Sequence, residues 1–534
     1  MIVLSPYSPG FRLKVVIREE IIIEDPTKEM LDYIRGNLIT DNPEYDSRKK
    51  MGLWLGGVDP YILFYRETVA KDHFYVTVPF GCLKLLRPYL TKDTQFHSVL
   101  AGGQEVSYDG VDLSLYDYQK EAVDRMLAPA GGILKDGALM SKGGILIGKC
   151  GCGKTQIGLG LIVKLKKKAL WITHTLDLLE QAYQRAASFM NPDLLGKIAS
   201  GVEIGSHLTF ATVQSLKAAD LERLRYEWDV IVVDECHRIC GGKSRTQMFF
   251  EVLSSLAAPY KFGLTATLHR SDGLVQSARF ALGDILHEIP EDALERYLTK
   301  PFVRVIDTDL APDPSYMDGN EVRFSNLLSY ISGNEERNKM IAEEIDWNRH
   351  QSCLVLSDRI SQLRRLISIL PEKTQEKCCI IDGSMQTKKG KQMRSNALKE
   401  MRDGTKNILF ATYSLAREGI DIPRLDRLFL ASPKKDCAVL EQSLGRISRS
   451  FPGKKDAICY DYTDRRIGIC IGLYKHRFNT YQKMRITIHS GGVDIRPDNT
   501  EDRSALSRLF PSPASCFTEE PEKPLYTSGY PAAV

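Results

Sequence analysis

The sequence lacks any apolar run near the roughly 18–20 residues that cross a bilayer, which excludes a spanning helix. The opening Met1-Ile-Val-Leu-Ser-Pro6 has neither the basic n-region nor the apolar h-region of a secretory leader. The twelve cysteines are scattered through the chain. Cys150-Gly-Cys152, Cys236-x-x-x-Cys240 and Cys378-Cys379 belong to no paired C-x-x-C set with zinc spacing, and the chain is too large to need a disulfide framework. A reducing, cytoplasmic setting with no membrane attachment is the expectation.

An excess of one charge is also missing. The 534 residues carry 72 Lys+Arg against 68 Asp+Glu, a net of +4, and as a whole do not look like a polyanion binder. Hydrophobic residues make up 43% and charged residues 26%, ordinary globular values that exclude wholesale disorder, collagen and coiled coil. The balance is uneven along the chain, however. Residues 1–112 hold 13 basic and 16 acidic side chains, residues 491–534 hold 4 and 7, and the middle holds 55 and 45. The small net charge therefore averages a basic centre with two mildly acidic ends.

The pattern of short apolar runs divides the chain further. Residues 1–112 mix strand-like runs at 14–17, 61–65 and 74–78 with a helix expected over 26–37, which reads as a small α+β domain. From 113 to 297, runs at 145–147, 169–172, 208–211, 230–233 and 262–264 alternate with helical stretches, the signature of a parallel sheet covered on both faces. Residues 298–345, which include a polar stretch with Pro and Asp at 306–320, are expected as a linker region. The alternation restarts over 346–490, with runs at 353–356, 379–381, 407–410, 427–430 and 457–460. The end, 491–534, is rich in Pro, Ser, Glu and Gly and reads as a flexible tail.

Chemistry enters at Gly148-Lys-Cys-Gly151-Cys-Gly153-Lys154-Thr155, which fits G-x-x-x-x-G-K-[ST]. Glycines at 148, 151 and 153 let backbone N–H groups wrap phosphate oxygens. Lys154 neutralises β/γ charge and the Thr155 hydroxyl can ligate Mg²⁺. A strand precedes the loop and an amphipathic helix follows, so phosphate would sit at a helix N-terminus. Asp234-Glu235-Cys236-His237 closes the apolar run 230–233. A carboxylate there can reach the same Mg²⁺, and Glu235 can orient or deprotonate water.

With these two motifs placed, the chain resembles the superfamily 2 helicases, and the remaining motifs fall in helicase order. Tyr116-x-Tyr118-Gln119 resembles the adenine-reading Q-type motif. Thr175-x-x-Leu178-Leu179-x-Gln181 and Thr212-Val-Gln214-Ser215 resemble motifs that track a nucleic-acid strand. Leu264-Thr265-Ala-Thr267 resembles motif III. Leu354–Ser357 resembles motif IV, by positions 354–357. Thr412-x-x-x-Ala416-x-Glu418-Gly419-Ile-Asp421 resembles motif V, and Gln442-x-x-Gly445-Arg446-x-x-Arg449 resembles motif VI. The segment with Arg270-Ser271-Asp272 is similar to the UvsW and XPB group, although the XPB branch carries Arg-Glu-Asp there. Asn42-Pro-x-Tyr45-x-x-Arg48-x-x-Met51-Gly-Leu-Trp54 resembles the N-terminal region of phage-type UvsW-like helicases.

The resemblance implies an α/β fold of two tandem RecA-like parallel-sheet lobes, 113–297 and 346–490, behind an N-terminal DNA-recognition domain. ATP and Mg²⁺ are the implied cofactors. Lys154, Glu235, Gln442, Arg446 and Arg449 would be catalytic, the two arginines as fingers on the γ-phosphate; one turn apart (i, i+3), they would share a helix face. Gln119, Gly148, Gly151, Gly153, Lys154, Thr155, Gly419 and Asp421 would hold the nucleotide, with Thr155 and Asp234 on the metal. His237, Thr265 and Thr267 would couple hydrolysis to movement. Thr175, Gln181, Thr212, Gln214, Arg270, Thr412, Arg48 and Trp54 would meet nucleic acid, although Trp54 also suits a core position.

The implied function is an ATP-dependent DNA helicase or translocase, 3′→5′, acting on single-stranded or branched DNA in replication, recombination or repair, with other proteins of those processes as partners. A duplex translocase or annealing motor without net unwinding, an RNA helicase, and a nucleotide-gated binding module without turnover are the alternatives. The intact set Lys154, Asp234, Glu235, Arg446 and Arg449 weighs against the last.

Overall fold

The computed structural model describes residues 13–496, except 92–93, 103–104, 131, 136–137, 150, 241–242, 267–274, 295, 319–320, 384, 386, 418–419, 421 and 491. The chain divides into two compact units, residues 1–294 and 295–534.

The first unit opens with a five-stranded sheet in the order Arg66–Ala70, His73–Pro79, Glu20–Glu24, Lys14–Ile17, Gln95–Ser98. Burial alternates along Lys14–Ile17 and Glu20–Glu24, the period of two that puts one face of a strand on a core. Val15, Ile17, Ile21, Ile23, Val76 and Val78 form that face, and the helix Lys28–Asn37 closes it with Met30, Leu31 and Ile34. The helix begins where Thr27 accepts from the Met30 N–H. This is the small α+β domain expected. Its core runs on into the next sheet's helices, since Phe64 packs against Phe250 and Phe280 with ring centroids 5.3 and 5.0 Å apart.

The second sheet of this unit has the order Leu195–Ile198, Leu208–Thr212, Ala169–Thr173, Val230–Asp234, Tyr260–Thr265, Ala138–Ile147, Ile285–Glu288, all parallel, with the short strand Ile133–Lys135 paired antiparallel to Ala138–Ile147 off this path. Ala169–Thr173, Leu208–Thr212 and Val230–Asp234 are buried along their whole length. Helices cover both faces of a parallel sheet, which is why these strands read as unbroken apolar runs.

The second unit is built on one sheet in the order Cys378–Ile381, Ile408–Thr412, Cys353–Ser357, Arg427–Leu430, Ile458–Thr463, Phe302–Asp307, Thr487–Ser490, Val493–Ile495, parallel except for the last pair. The chain thus holds two RecA-like parallel-sheet lobes. The segment expected as a linker, 298–345, is built into this lobe: Phe302–Asp307 lies between Ile458–Thr463 and Thr487–Ser490, and the helices Phe324–Gly333 and Glu335–Trp347 follow. The expected tail likewise begins with an ordered strand, Val493–Ile495, and beyond 496 lies outside the described residues. Among the described residues, no helix is long and apolar enough to cross a membrane.

Candidate nucleotide and nucleic-acid sites

Strand order brings the nucleotide motifs together. Tyr260–Thr265 runs between the strand that feeds the glycine loop and the strand that ends at Asp234. In this register Thr265 lies beside Ile147 and Asp234 beside Leu264, so both motifs and Thr265 meet at the carboxyl edge of one parallel sheet, where such sheets bind ligands. The Gly148 N–H donates to the Thr265 carbonyl at 2.9 Å.

The loop turns into the helix Lys154–Leu165 through Gly153 at φ 77°, a left-handed conformation that favours glycine. A Cβ at Gly153 would also lie 2.4 Å from the Gln119 amide nitrogen. That amide is committed on both sides: Gln119 Oε1 accepts from the Tyr116 N–H at 3.0 Å, and Nε2 donates to the Cys152 carbonyl at 3.1 Å. Tyr118 Oη donates to the same carbonyl at 2.9 Å. Gln119, expected to read adenine, is here a buried brace of the phosphate loop, shared with Tyr118. Tyr118 gains this role only through its place beside the loop in three dimensions, which its position in the chain does not signal.

Lys154 is buried. Its ammonium donates to the Gly148 carbonyl at 3.1 Å and lies 3.9 Å from Glu235 Oε1. Thr155 is the second residue of the helix. Glu235 sits at φ 51°, a left-handed backbone that takes its side chain out of the strand direction, and its N–H donates to Asp234 Oδ1 at 3.0 Å. His237 Nδ1 lies 3.1 Å from Glu235 Oε2 and 3.0 Å from Thr265 Oγ1. Of the expected coupling residues, His237 therefore lies against Glu235, and Thr265 reaches Glu235 only through His237.

The two carboxylates are pushed apart. Burial raises the Asp234 carboxyl above its ordinary value and the adjacent Glu235 charge acts the same way, with Lys154 opposing. Burial also acts upward on Glu235, but Lys154 and His237 outweigh it and hold this carboxyl below the usual range.

Several expected nucleic-acid contacts gather on the neighbouring strand ends. Thr175 and Thr212 cap the helices Leu176–Ala187 and Val213–Ala218, accepting from the Leu178 and Ser215 N–H groups. Exposed Gln214 reaches back to donate to the His174 carbonyl at 3.3 Å, tying the two strand ends together. Half-buried Gln181 lies on the first of these helices.

In the second unit, Thr412 ends its strand and bonds Ser414 Oγ at 3.0 Å. Gln442, Gly445 and Arg446 lie on the helix Cys437–Ile447. Arg449 does not, which corrects the expectation of one shared helix face. The helix ends at Ile447, and Arg449 forms an isolated bridge with Leu298. Thr299 N–H donates to the Ser448 carbonyl at 2.8 Å, and the Lys454 ammonium collects the carbonyls of Ile447 and Arg449. These bonds draw the chain out of the helix before a further turn can form. Gly419, Asp421, Thr267 and Arg270 lie outside the described residues.

In the N-terminal domain, Arg48 bonds Glu44 and the Trp54 carbonyl. Trp54 is 78% exposed, so it is no part of a core.

Comparison with known proteins agrees with this layout. A family model described as type III restriction enzyme, res subunit, matches residues 112–270, and one described as helicase conserved C-terminal domain matches residues 336–450. The chain is 25% identical over 422 residues to the protein L396 of Acanthamoeba polyphaga mimivirus, to which ATP-dependent RNA helicase activity is ascribed; the match covers 78% of this chain and 76% of that protein. It is 25% identical over 375 residues to the DNA 3′-5′ translocase XPB2 of Sulfurisphaera tokodaii, covering 64% of this chain and 80% of the relative. Among solved structures it is similar to T4 UvsW, at 18% identity and a TM-score of 0.37, over 90% of this chain and 99% of that one.

Proposed function

Because this chain belongs to the superfamily 2 helicases of UvsW- and XPB-like type, we propose that its ATP hydrolysis drives a DNA motor, moving 3′→5′ and unwinding or remodelling branched DNA in replication, recombination or repair. The observation that carries this reading is the chain of contacts Lys154–Glu235–His237–Thr265 at one sheet edge, with strand-end caps at Thr175 and Thr212 on the same sheet.

The loop N–H groups and Lys154 hold the phosphates. The buried Asp234 carboxylate and the Thr155 hydroxyl are hard oxygen donors of the kind Mg²⁺ takes, and a carboxyl pushed toward protonation by burial gains from a nearby cation. Mg²⁺ bound there would neutralise charge on the phosphate oxygens. Glu235, held anionic, orients the attacking water.

His237 passes a shift of Glu235 to Thr265, whose carbonyl already holds Gly148, so the γ-phosphate end of the site and the strand ends move together. Arg446 and Arg449 serve as fingers on the developing charge. A buried Gln442 side-chain oxygen has no hydrogen-bond partner among the described residues, as befits a group whose acceptor role is reserved for a ligand. Gly419 and Asp421 complete the nucleotide contacts in this scheme, and Thr267, Arg270, Gln181 and Thr412 the nucleic-acid path. Partners among replication or repair proteins fit the same reading.

The rival is an RNA helicase, the activity ascribed to the mimivirus relative. ATPase rates measured with single-stranded, duplex and forked DNA and with single-stranded RNA separate the two. The proposal expects forked DNA to stimulate most. A larger response to RNA than to any DNA overturns the substrate, and a duplex response without strand separation moves the reading to a translocase or annealing motor.

A further inference from the structure

The N-terminal domain carries an apolar surface that its fold does not use. Met51, Leu53 and Trp54 are 61%, 53% and 78% exposed. Single exposed apolar side chains need no explanation, but three within four positions on one short loop do. The loop is also firmly built. The helix Pro43–Lys50 starts at Asn42, whose side chain accepts from the Glu44 N–H and donates to the Asp59 carbonyl at 2.7 Å, while the Asn42 N–H donates to the Pro60 carbonyl at 2.9 Å. One residue therefore clasps both ends of the segment 42–60.

Inside this clasp, Leu53 N–H donates to the Arg48 carbonyl at 2.9 Å. The Arg48 guanidinium donates to Glu44 at 2.7 Å and to the Trp54 carbonyl at 3.3 Å. Buried Val58 anchors the far side. The Trp54 indole lies directly on Gly56, where a Cβ would stand 2.0 Å from the ring. The loop thus presents one face of a large aromatic, with its backbone held and a seat that only glycine leaves open.

Charge supplies the second element. The helix is acidic in its first turn, at Glu44 and Asp46, and basic in its last, at Arg48, Lys49 and Lys50. Cations at a helix C-terminus are ordinary, but that accounts for the lysines alone and leaves the exposed indole unexplained. Lys49 and Lys50 are exposed beside the aromatic loop. An exposed aromatic face next to exposed ammonium groups matches a polyanion with flat bases: bases stack irrespective of sequence while phosphates are neutralised alongside.

We propose that the loop 51–57 is a stacking platform for an unpaired base at the branch point of DNA, with Trp54 taking the base, Lys49 and Lys50 the adjoining phosphates, and Arg48 acting as a positioning residue that holds the loop. The proposal rests on reading the chain as a DNA motor and deepens it by naming where the junction is felt.

The test uses the full chain without nucleotide, so that binding is read apart from hydrolysis. A fork with 2-aminopurine at the first unpaired position is titrated against wild type, Trp54→Ala, Trp54→Phe and Gly56→Val, with a blunt duplex as control. The expectation for Trp54→Ala is a loss of about tenfold in fork affinity, in the range found for one stacked base, together with loss of the 2-aminopurine quenching and no change on blunt duplex. Trp54→Phe should retain most of the affinity, and Gly56→Val, which displaces the indole, should behave like Trp54→Ala. Fork affinity and quenching that are unchanged in Trp54→Ala overturn the proposal and give the patch to a protein partner. Wild type that binds forks and shows the Trp54 effect but never hydrolyses ATP defeats the motor reading while leaving this one standing.

Discussion

Arg337 lies out of solvent at the start of its helix and finds an acceptor in three directions. Nε and Nη2 donate to Asp464 at 2.8 and 3.3 Å, and Nη1 donates to the Ala431 carbonyl at 2.6 Å. Asp464 also accepts from Thr308 Oγ1 at 2.5 Å. Removing one partner of such a pair strands a buried charge, which costs about 3–5 kcal/mol. Arg337→Ala should shift the denaturation midpoint of the second unit by an amount of that order, and a change under about 1 kcal/mol, the scale of an exposed pair, would show that the pair carries no structural weight. No local pattern around Arg337 announced this pair, because Asp464 is 127 positions away. Lys154, Thr155, Asp234 and Glu235 were legible for the opposite reason: phosphate and metal chemistry confines their types to a short, fixed spacing. The links that join them, Gln119 to Cys152 and His237 to Thr265, depend on strand order and became visible only with it.

The helix Lys154–Leu165 shows what an element adds. Its glycines face the sheet and its neighbours: a Cβ at Gly158 would lie 2.7 Å from both Leu264 and Trp171, and one at Gly160 would lie 2.9 Å from Leu115. The close approach sets where the phosphate loop stands relative to Thr265. Gly158→Val should therefore cost about 1–3 kcal/mol by overpacking and raise the KM for ATP; a thermal midpoint and KM equal to wild type would remove the helix contact from the account. At this scale the central strands were legible, since burial on both faces leaves unbroken apolar runs. Gln95–Ser98, Leu195–Ile198 and Thr487–Ser490 were not, being short and placed at or near sheet edges where mixed side chains are tolerated. The place of Arg449 outside its helix escaped local reading as well, because Lys454 and Thr299 set the helix end through tertiary bonds.

At the scale of the molecule, the small net charge averages a basic centre with acidic ends, and a buried lysine joins the N-terminal sheet to the first lobe beside the Phe64 contacts. Lys261 donates to the Glu19 carbonyl at 3.0 Å and the Leu253 carbonyl at 2.7 Å. Burial pulls its pKa from the ordinary 10.5 down to about 7, with Glu19 and Glu20 opposing. The folded-state value is depressed, so the unfolded chain holds the extra proton between pH 7 and about 10. Stability is lowest below pH 7, where the burial cost is fully present, and rises with pH through that window by up to about 1.4 kcal/mol per unit. Lys261→Met should flatten this rise in the denaturation midpoint of the first unit, and an unchanged slope would place the titration elsewhere.

We propose that Glu235 serves the hydrolytic step of an ATP-driven DNA motor. It is tested most directly by comparing wild type with Glu235→Gln for ATP binding and for ATPase rate with and without forked DNA. The variant is expected to bind ATP as wild type does and to show no DNA-stimulated turnover. Equal stimulated turnover in the two proteins would contradict it.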